Sequence, residues 1–275
     1  MPGPDLHVHS TSSDGQLAPS ALVALAARLG LPAIALTDHD TVDGIATALT
    51  AAETLPVTVI PGVELSAAVG ERSVHILGYF IDHSDEALLA RLARLRDVRI
   101  ERAHAILAAL ASGGIHLRID DVLAAASDGG AVGRAHIAGL LVEAGHAADV
   151  PDAFRRLLGR GAPYYVPKPV VTPREVVGWI ASAGGIAVVA HPGLSEIDDL
   201  VPSLVADGIV GLEAYHGAHD EAAREHYAAL ASEHGLVATG GSDFHGSVGG
   251  PTLGSAHVPE EAADALRQAW ERHRR

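Results

Sequence analysis

The chain has 275 residues, 48% of them hydrophobic, with 19 Lys+Arg against 34 Asp+Glu and a formal net charge of −15. This composition excludes a disordered chain and a general basic surface for duplex DNA, and the lack of cysteine excludes disulfides, thiolate metal sites and a cysteine nucleophile. No apolar run is long enough to span a bilayer, and the opening Met1-Pro2-Gly3-Pro4-Asp5 lacks the basic-then-apolar pattern of a secretory signal, so a soluble cytoplasmic protein is expected.

Short apolar, β-branched runs predict strands at 5–9, 33–37, 57–65, 73–80, 186–190, 209–215 and 236–240. Leu22, Leu25, Ala26 and Leu29 fall at helical spacing and Gly30 is a stop signal. Pro173 opens another helix with Glu175 in its first turn, 221–233 reads as a third, and 259–275 as a last one that starts on Pro259. Strand–helix alternation implies a mainly parallel sheet with helices outside, and seven strands suit an open or incomplete barrel. The third and fourth runs are joined by so short a segment that an antiparallel hairpin is expected there. From 102 to 163 there is no convincing strand. Short helices at 103–111, 121–126, 136–144 and 152–158 are separated by Gly113-Gly114, Gly129-Gly130 and Gly159–Gly161. The expected organisation is an α/β barrel built from 1–101 and 164–275, with a small helical insertion at 102–163. No coiled-coil or obvious interface pattern indicates an obligate protein partner.

There are 17 histidines against 5 tyrosines and 3 phenylalanines. His7 and His9 lie two apart on the first strand, so both imidazoles point the same way and can reach one ion. Asp14 follows in a polar turn. His39 ends the second strand, Glu64 the third, His191 the fifth, and Asp243 and His245 the seventh. Strand C-termini of parallel α/β barrels converge on one face. His75 lies near a strand start and reaches that face if its strand is antiparallel. Mixed imidazole and carboxylate donors without sulfur suit Mn, Fe or Zn. Nine such groups exceed the needs of one ion and suit two or three sharing a bridging carboxylate and hydroxide. Asp5 and Asp38 alternate away from the ligand positions and read as hydrogen-bond partners that orient histidines, or as structural residues.

Asp5-Leu6-His7-Val8-His9-Ser10, Thr37-Asp38-His39-Asp40-Thr41, Pro61-Gly62-Val63-Glu64, Ala190-His191-Pro192 and Gly241-Ser242-Asp243-Phe244-His245 together resemble the motifs of the PHP (polymerase and histidinol phosphatase) family. The resemblance spans essentially the whole chain. It implies a distorted seven-stranded barrel, (β/α)7, and a two- or three-metal phosphoesterase site, with Mn preferred and Fe or Zn as alternatives. Its ligands would be His7, His9, Asp14, His39, Glu64, His75, His191, Asp243 and His245.

Within that family the chain is similar to the branch that removes the 3′-phosphate of nucleoside 3′,5′-bisphosphates and trims short RNA from its 5′ end. The helical insertion, expected to cover the active site, carries Gly133-Arg134-Ala135-His136 and is followed by Tyr165-Val166-Pro167-Lys168. Arg134 offers a planar fork and Lys168 a point charge for the substrate's second phosphate, and His136 is either a phosphate donor or a helix-start residue. His216, at the end of the sixth strand, is placed to protonate the leaving oxygen. His219, His226 and His234 read as surface histidines. The competing readings are a phosphatase of another small monoester such as histidinol phosphate, amide cleavage on the same metal rim, and a metal-stabilised binding domain without turnover.

Overall fold

Seven strands form one sheet in chain order: β1 (Asp5–Val8), β2 (Ala33–Leu36), β3 (Thr58–Val69), β4 (Arg72–Tyr79), β5 (Ile186–Val189), β6 (Gly211–His216) and β7 (Val237–Gly241). They come from a computed structural model that describes residues 2–126, 132–167 and 171–274. β1, β2 and β3 run parallel, β4 is antiparallel to both its neighbours, and β5, β6 and β7 are parallel again. The expected hairpin is therefore present.

The sheet nearly closes into a barrel, because the segment just past β7 bonds to β1. His9 N–H donates to the Phe244 carbonyl at 2.9 Å and Asp243 N–H to the His7 carbonyl at 3.0 Å. Gly241 permits this approach, since a Cβ there would lie 2.3 Å from the His7 Cβ. Tyr79 on β4 also donates across the barrel to the Leu6 carbonyl on β1 at 2.8 Å.

β1, β2 and β5 are buried along their whole length, which explains their unbroken apolar sequences. Leu6, Ile60, Leu77, Ile186 and Val188 form a continuous core with Val258, Leu266 and Ala269 from the C-terminal segment. Local signals set the helix ends. Gly30 closes Pro19–Leu29 in the left-handed conformation, and Thr172 and Glu175 form a capping box around Pro173. The last helix starts at Ala262, because Pro259 sits in a tight turn closed by Ala262 N–H on its carbonyl.

The chain divides into two compact units, Met1–Ala90 with Val170–Arg275, and Arg91–Pro169. The helix Glu86–Ser112 carries the chain from one to the other. It begins well before the expected 103–111: Leu88, Leu92 and Leu95 fall at helical spacing, with Leu88 and Leu92 buried, and the charged stretch Arg96–Arg102 interrupts the apolar face. The second unit has its own core of Ile106, Leu110, Val122, Ile137, Leu141 and Leu158. Among the described residues its other helices are Ile119–Ala125, Arg134–Glu143 and Val150–Ala153, the last running into a π-helical turn at Phe154–Leu158. Gly129-Gly130 lies outside the described residues.

Candidate metal centre

The barrel brings all nine metal-site residues read from the sequence to one rim, with Glu64 at their centre. Glu64 is 1% exposed. Its Oε2 lies 3.2 Å from His7 Nε2, 3.3 Å from His9 Nε2 and 3.1 Å from His39 Nδ1. Its Oε1 faces the other way, 2.7 Å from His75 Nδ1 and 3.1 Å from His191 Nε2. His75 reaches it through the antiparallel register. Ser66 pairs with His75 and Glu64 with Leu77, so the two side chains share a face one step apart.

Asp243 and Asp14 complete the rim. Asp243 Oδ1 is 3.1 Å from His9 Nε2 and 3.5 Å from His245 Nδ1, and Asp14 Oδ1 is 3.2 Å from His245 Nε2. Asp40, His191 and Asp243 leave their strands at φ of 52°, 29° and 56°. Left-handed backbone at non-glycine positions costs roughly 1–3 kcal/mol each and clusters at functional sites.

The electrostatics suit cations. Burial pushes the Glu64 carboxyl up, but His39 and His7 outweigh it and hold it well below its ordinary range. Asp243 is likewise held far below that range, against burial, by His7, His216 and His9. Burial lowers His39 to about 4, leaving its ring neutral with a free lone pair. His9 is opposed by burial, yet Asp243 and Glu64 raise it to about 9. Among the described residues, both ring nitrogens of His9, Nδ1 of His191 and Nε2 of His216 are buried without a hydrogen bond of good geometry. Unpaired polar atoms in a protein interior are costly. Cations among these nitrogens and carboxylates would satisfy them, and among the described residues four overlapping groups have the spacing to hold one: His9/Asp14/His39/His245, His7/His9/Asp243, His39/Glu64/His75 and His7/Glu213/His216.

Other expectations resolve differently. Asp5 and Asp38 orient no histidine side chain. Asp5 accepts from Ser242 N–H, Ser242 Oγ and Gly254 N–H at 2.6–2.8 Å, and so holds the loop that carries Asp243. Asp38 accepts from Ser10 N–H, Ser10 Oγ and Ser13 Oγ, each at 2.7 Å, and shapes the turn that carries Asp14. Both lie among donors on loops because their strands turn them away from the imidazoles.

His219 is a buried residue, 5% exposed, and not a surface one. Its Nδ1–H donates to the Ala214 carbonyl and its Nε2 accepts from Gly193 N–H, tying the loop after His191 to β6. His226 is exposed and pairs with Asp198 at 2.6 Å, and His234 is partly exposed.

His216 is buried at the rim with Nε2 3.6 Å from Asp243 Oδ2. Its Nδ1 accepts from Ala218 N–H at 3.1 Å, so the neutral ring carries its proton on Nε2. In the helical unit, the Arg134 guanidinium lies over the rings of Phe154 and Tyr165 and donates to the Leu158 carbonyl at 3.1 Å. His136 Nδ1 accepts from Gly133 N–H at 3.2 Å, the helix-start role. Lys168 lies outside the described residues.

Sequence reading missed Glu213. It is 0% exposed, and its carboxylate lies 3.0 Å from His7 Nδ1 and accepts from His191 N–H at 2.7 Å. The available signal was a lone acid inside the apolar run of β6, since a buried carboxylate needs a partner.

Known proteins resemble the chain over nearly its full length. A 3′,5′-nucleoside bisphosphate phosphatase of Chromobacterium violaceum is 37% identical over 272 residues, covering 97% of this chain and 94% of that protein. The 5′-3′ exoribonuclease Rnm of Escherichia coli is 36% identical, covering 97% and 93%. A solved structure from Bifidobacterium adolescentis, described as a metal-dependent phosphoesterase, superposes with a TM-score of 0.82 at 33% identity and covers 97% of this chain and 96% of its own. Barrel, rim and relatives together define a metal-dependent phosphoesterase. The PHP domain model matches residues 5–148, and the chain belongs to the PHP domain family.

Proposed function

We propose that the chain hydrolyses the 3′-phosphate of nucleoside 3′,5′-bisphosphates, and that short 5′-phosphorylated oligonucleotides are further substrates. The observation that carries the reading is the two-sided environment of Glu64, with three imidazoles on one oxygen and two on the other. This is the arrangement of a carboxylate shared between cations. The choice of substrate rests on likeness to the bisphosphate phosphatase over 97% of the chain.

His7, His9, Asp14, His39, Glu64, His75, His191, Asp243 and His245 would hold two or three divalent ions, Mn²⁺ by preference and Fe²⁺ or Zn²⁺ as alternatives. When bound, the ions supply positive charge against the phosphoryl oxygens and the means to ionise water near neutral pH. Water oxygen bonds to phosphorus as the P–O3′ bond breaks, and one proton of that water passes to O3′, giving inorganic phosphate and a nucleoside 5′-phosphate. His216 acts through its Nε2–H, which donates to a phosphoryl or departing oxygen. Since Nδ1 is occupied by Ala218 N–H, His216 serves as a neutral hydrogen-bond donor and not as an imidazolium acid. We assign the uncleaved phosphate to Arg134, supported by its planar fork, with Lys168 as an added charge.

Phosphate release should be compared for adenosine 3′,5′-bisphosphate, 3′-AMP, 5′-AMP and histidinol phosphate with Mn²⁺. The bisphosphate is expected to give the highest kcat/KM. A higher value for histidinol phosphate would replace the substrate assigned here, and turnover of an amide with no ester cleaved would overturn the phosphatase reading.

A further inference from the structure

Glu213 touches both halves of the rim. Its carboxylate meets the Nδ1 of His7, whose Nε2 faces Glu64 Oε2, and the backbone N–H of His191, whose Nε2 faces Glu64 Oε1. Both contacts are closed to solvent, since Glu213 and His7 are each 0% exposed. The three residues come from β6, β1 and the exit of β5, which are far apart in sequence. His191 holds a φ of 29°, a conformation that its surroundings must impose. The 2.7 Å bond from its N–H to Glu213 Oε2 is one restraint, and the bond from Gly193 N–H to His219 is the next.

We propose that Glu213 is the positioning residue that couples the two sides of the metal centre. It fixes the His7 proton on Nδ1, so that the Nε2 lone pair points at the cation site, and it pins the strained backbone of His191. The inference rests on the metal-centre reading above and adds to it a residue whose carboxylate faces His7 Nδ1 and His191 N–H, away from the nitrogens gathered round Glu64, so that its part is to hold these two residues and not to serve as a ligand in the His7/Glu213/His216 group. A carboxylate has two acceptor oxygens for these two donors, whereas an amide has one. His7 Nδ1 lies 3.0 Å from Oε1 and 3.2 Å from Oε2, so in Glu213→Gln an NH₂ group faces His7 Nδ1 at one of these positions whichever way the amide turns. If the amide oxygen stays with His191, its NH₂ faces His7 Nδ1 and drives the ring proton onto Nε2, the nitrogen needed for the cation. Outer partners of metal-bound histidines are typically worth about 10–100-fold in metal affinity.

The test uses the full chain, stripped of metal and titrated with Zn²⁺ by calorimetry. ¹⁵N NMR of the Zn²⁺-loaded protein identifies the His7 tautomer. Wild type is expected to show the His7 proton on Nδ1, protected from exchange. Glu213→Gln is expected to bind Zn²⁺ about 10–100-fold more weakly and to lose that protection. Equal affinity in the variant would overturn the role of Glu213 and leave the metal centre standing. If Glu213→Gln does not fold, the wild-type spectrum decides, because a His7 proton on Nε2 contradicts the proposal by itself. Failure of wild type to bind any Zn²⁺ would overturn the metal-centre reading and this inference with it.

Discussion

Glu64→Gln is expected to abolish cation binding on both sides of the rim and to lower kcat/KM for phosphate release by more than ~10³-fold, beyond the ~10–100-fold that an outer partner contributes. The size follows from geometry. Both Glu64 oxygens are engaged, one by His7, His9 and His39 and the other by His75 and His191. The amide removes the negative charge and leaves one oxygen where two are needed. It also turns an NH₂ group toward imidazole nitrogens that must present lone pairs. The substitution is nearly isosteric, so the barrel core of Leu6, Ile60 and Leu77 is untouched and the thermal unfolding of the metal-free chain should remain cooperative. Calorimetry of Mn²⁺ binding beside the phosphate assay separates loss of metal from loss of fold. Full Mn²⁺ affinity in the variant would remove Glu64 from the metal site.

Arg134→Ala is expected to lower kcat/KM for adenosine 3′,5′-bisphosphate by roughly 10- to 100-fold and to leave 3′-AMP, which lacks the second phosphate, nearly unaffected. A hydrogen bond to a charged group is worth about 1.5–3 kcal/mol, which sets the range. Arg134 also has a role inside its own unit, stacked over Phe154 and Tyr165 and bonded to Leu158. The comparison between substrates separates the two roles. Equal losses on both would make Arg134 an anchor of the helical unit only. Arg134→Lys, which keeps the charge and loses the fork, is expected to fall between wild type and Ala.

The rim was legible in the sequence because barrel strands deliver their C-termini to one face, so that His39, His191 and Asp243 just past successive strand ends had to meet; Glu64, expected to end its strand, instead lies inside β3, which runs on to Val69 as one arm of the hairpin with β4. Even the awkward case of His75 followed from chain length, since the short connection after β3 forces β4 to return antiparallel. What surrounds the rim was less legible. Glu213 contacts a histidine 206 residues away, and nothing in the alternation of β6 says which residue stands opposite across the barrel. Asp5 and Asp38 were recognisable as buried acids, but their donors sit on loops whose paths have no periodic pattern. His219 resembles any polar residue before a helix until the loop after His191 packs on it. The helix Glu86–Ser112 was only partly legible, because the apolar spacing of Leu88, Leu92 and Leu95 runs into the charged stretch Arg96–Arg102 before it resumes at Ala103 and Ile106.

The most direct test is to strip the chain of metal, add Mn²⁺ stepwise and follow phosphate release from adenosine 3′,5′-bisphosphate while identifying the nucleotide product. The expected result is no release from the stripped protein, then release that rises to a plateau at about two to three equivalents with 5′-AMP as the product. Release at full rate without metal, 3′-AMP as the product, or no release at any Mn²⁺ concentration would contradict it.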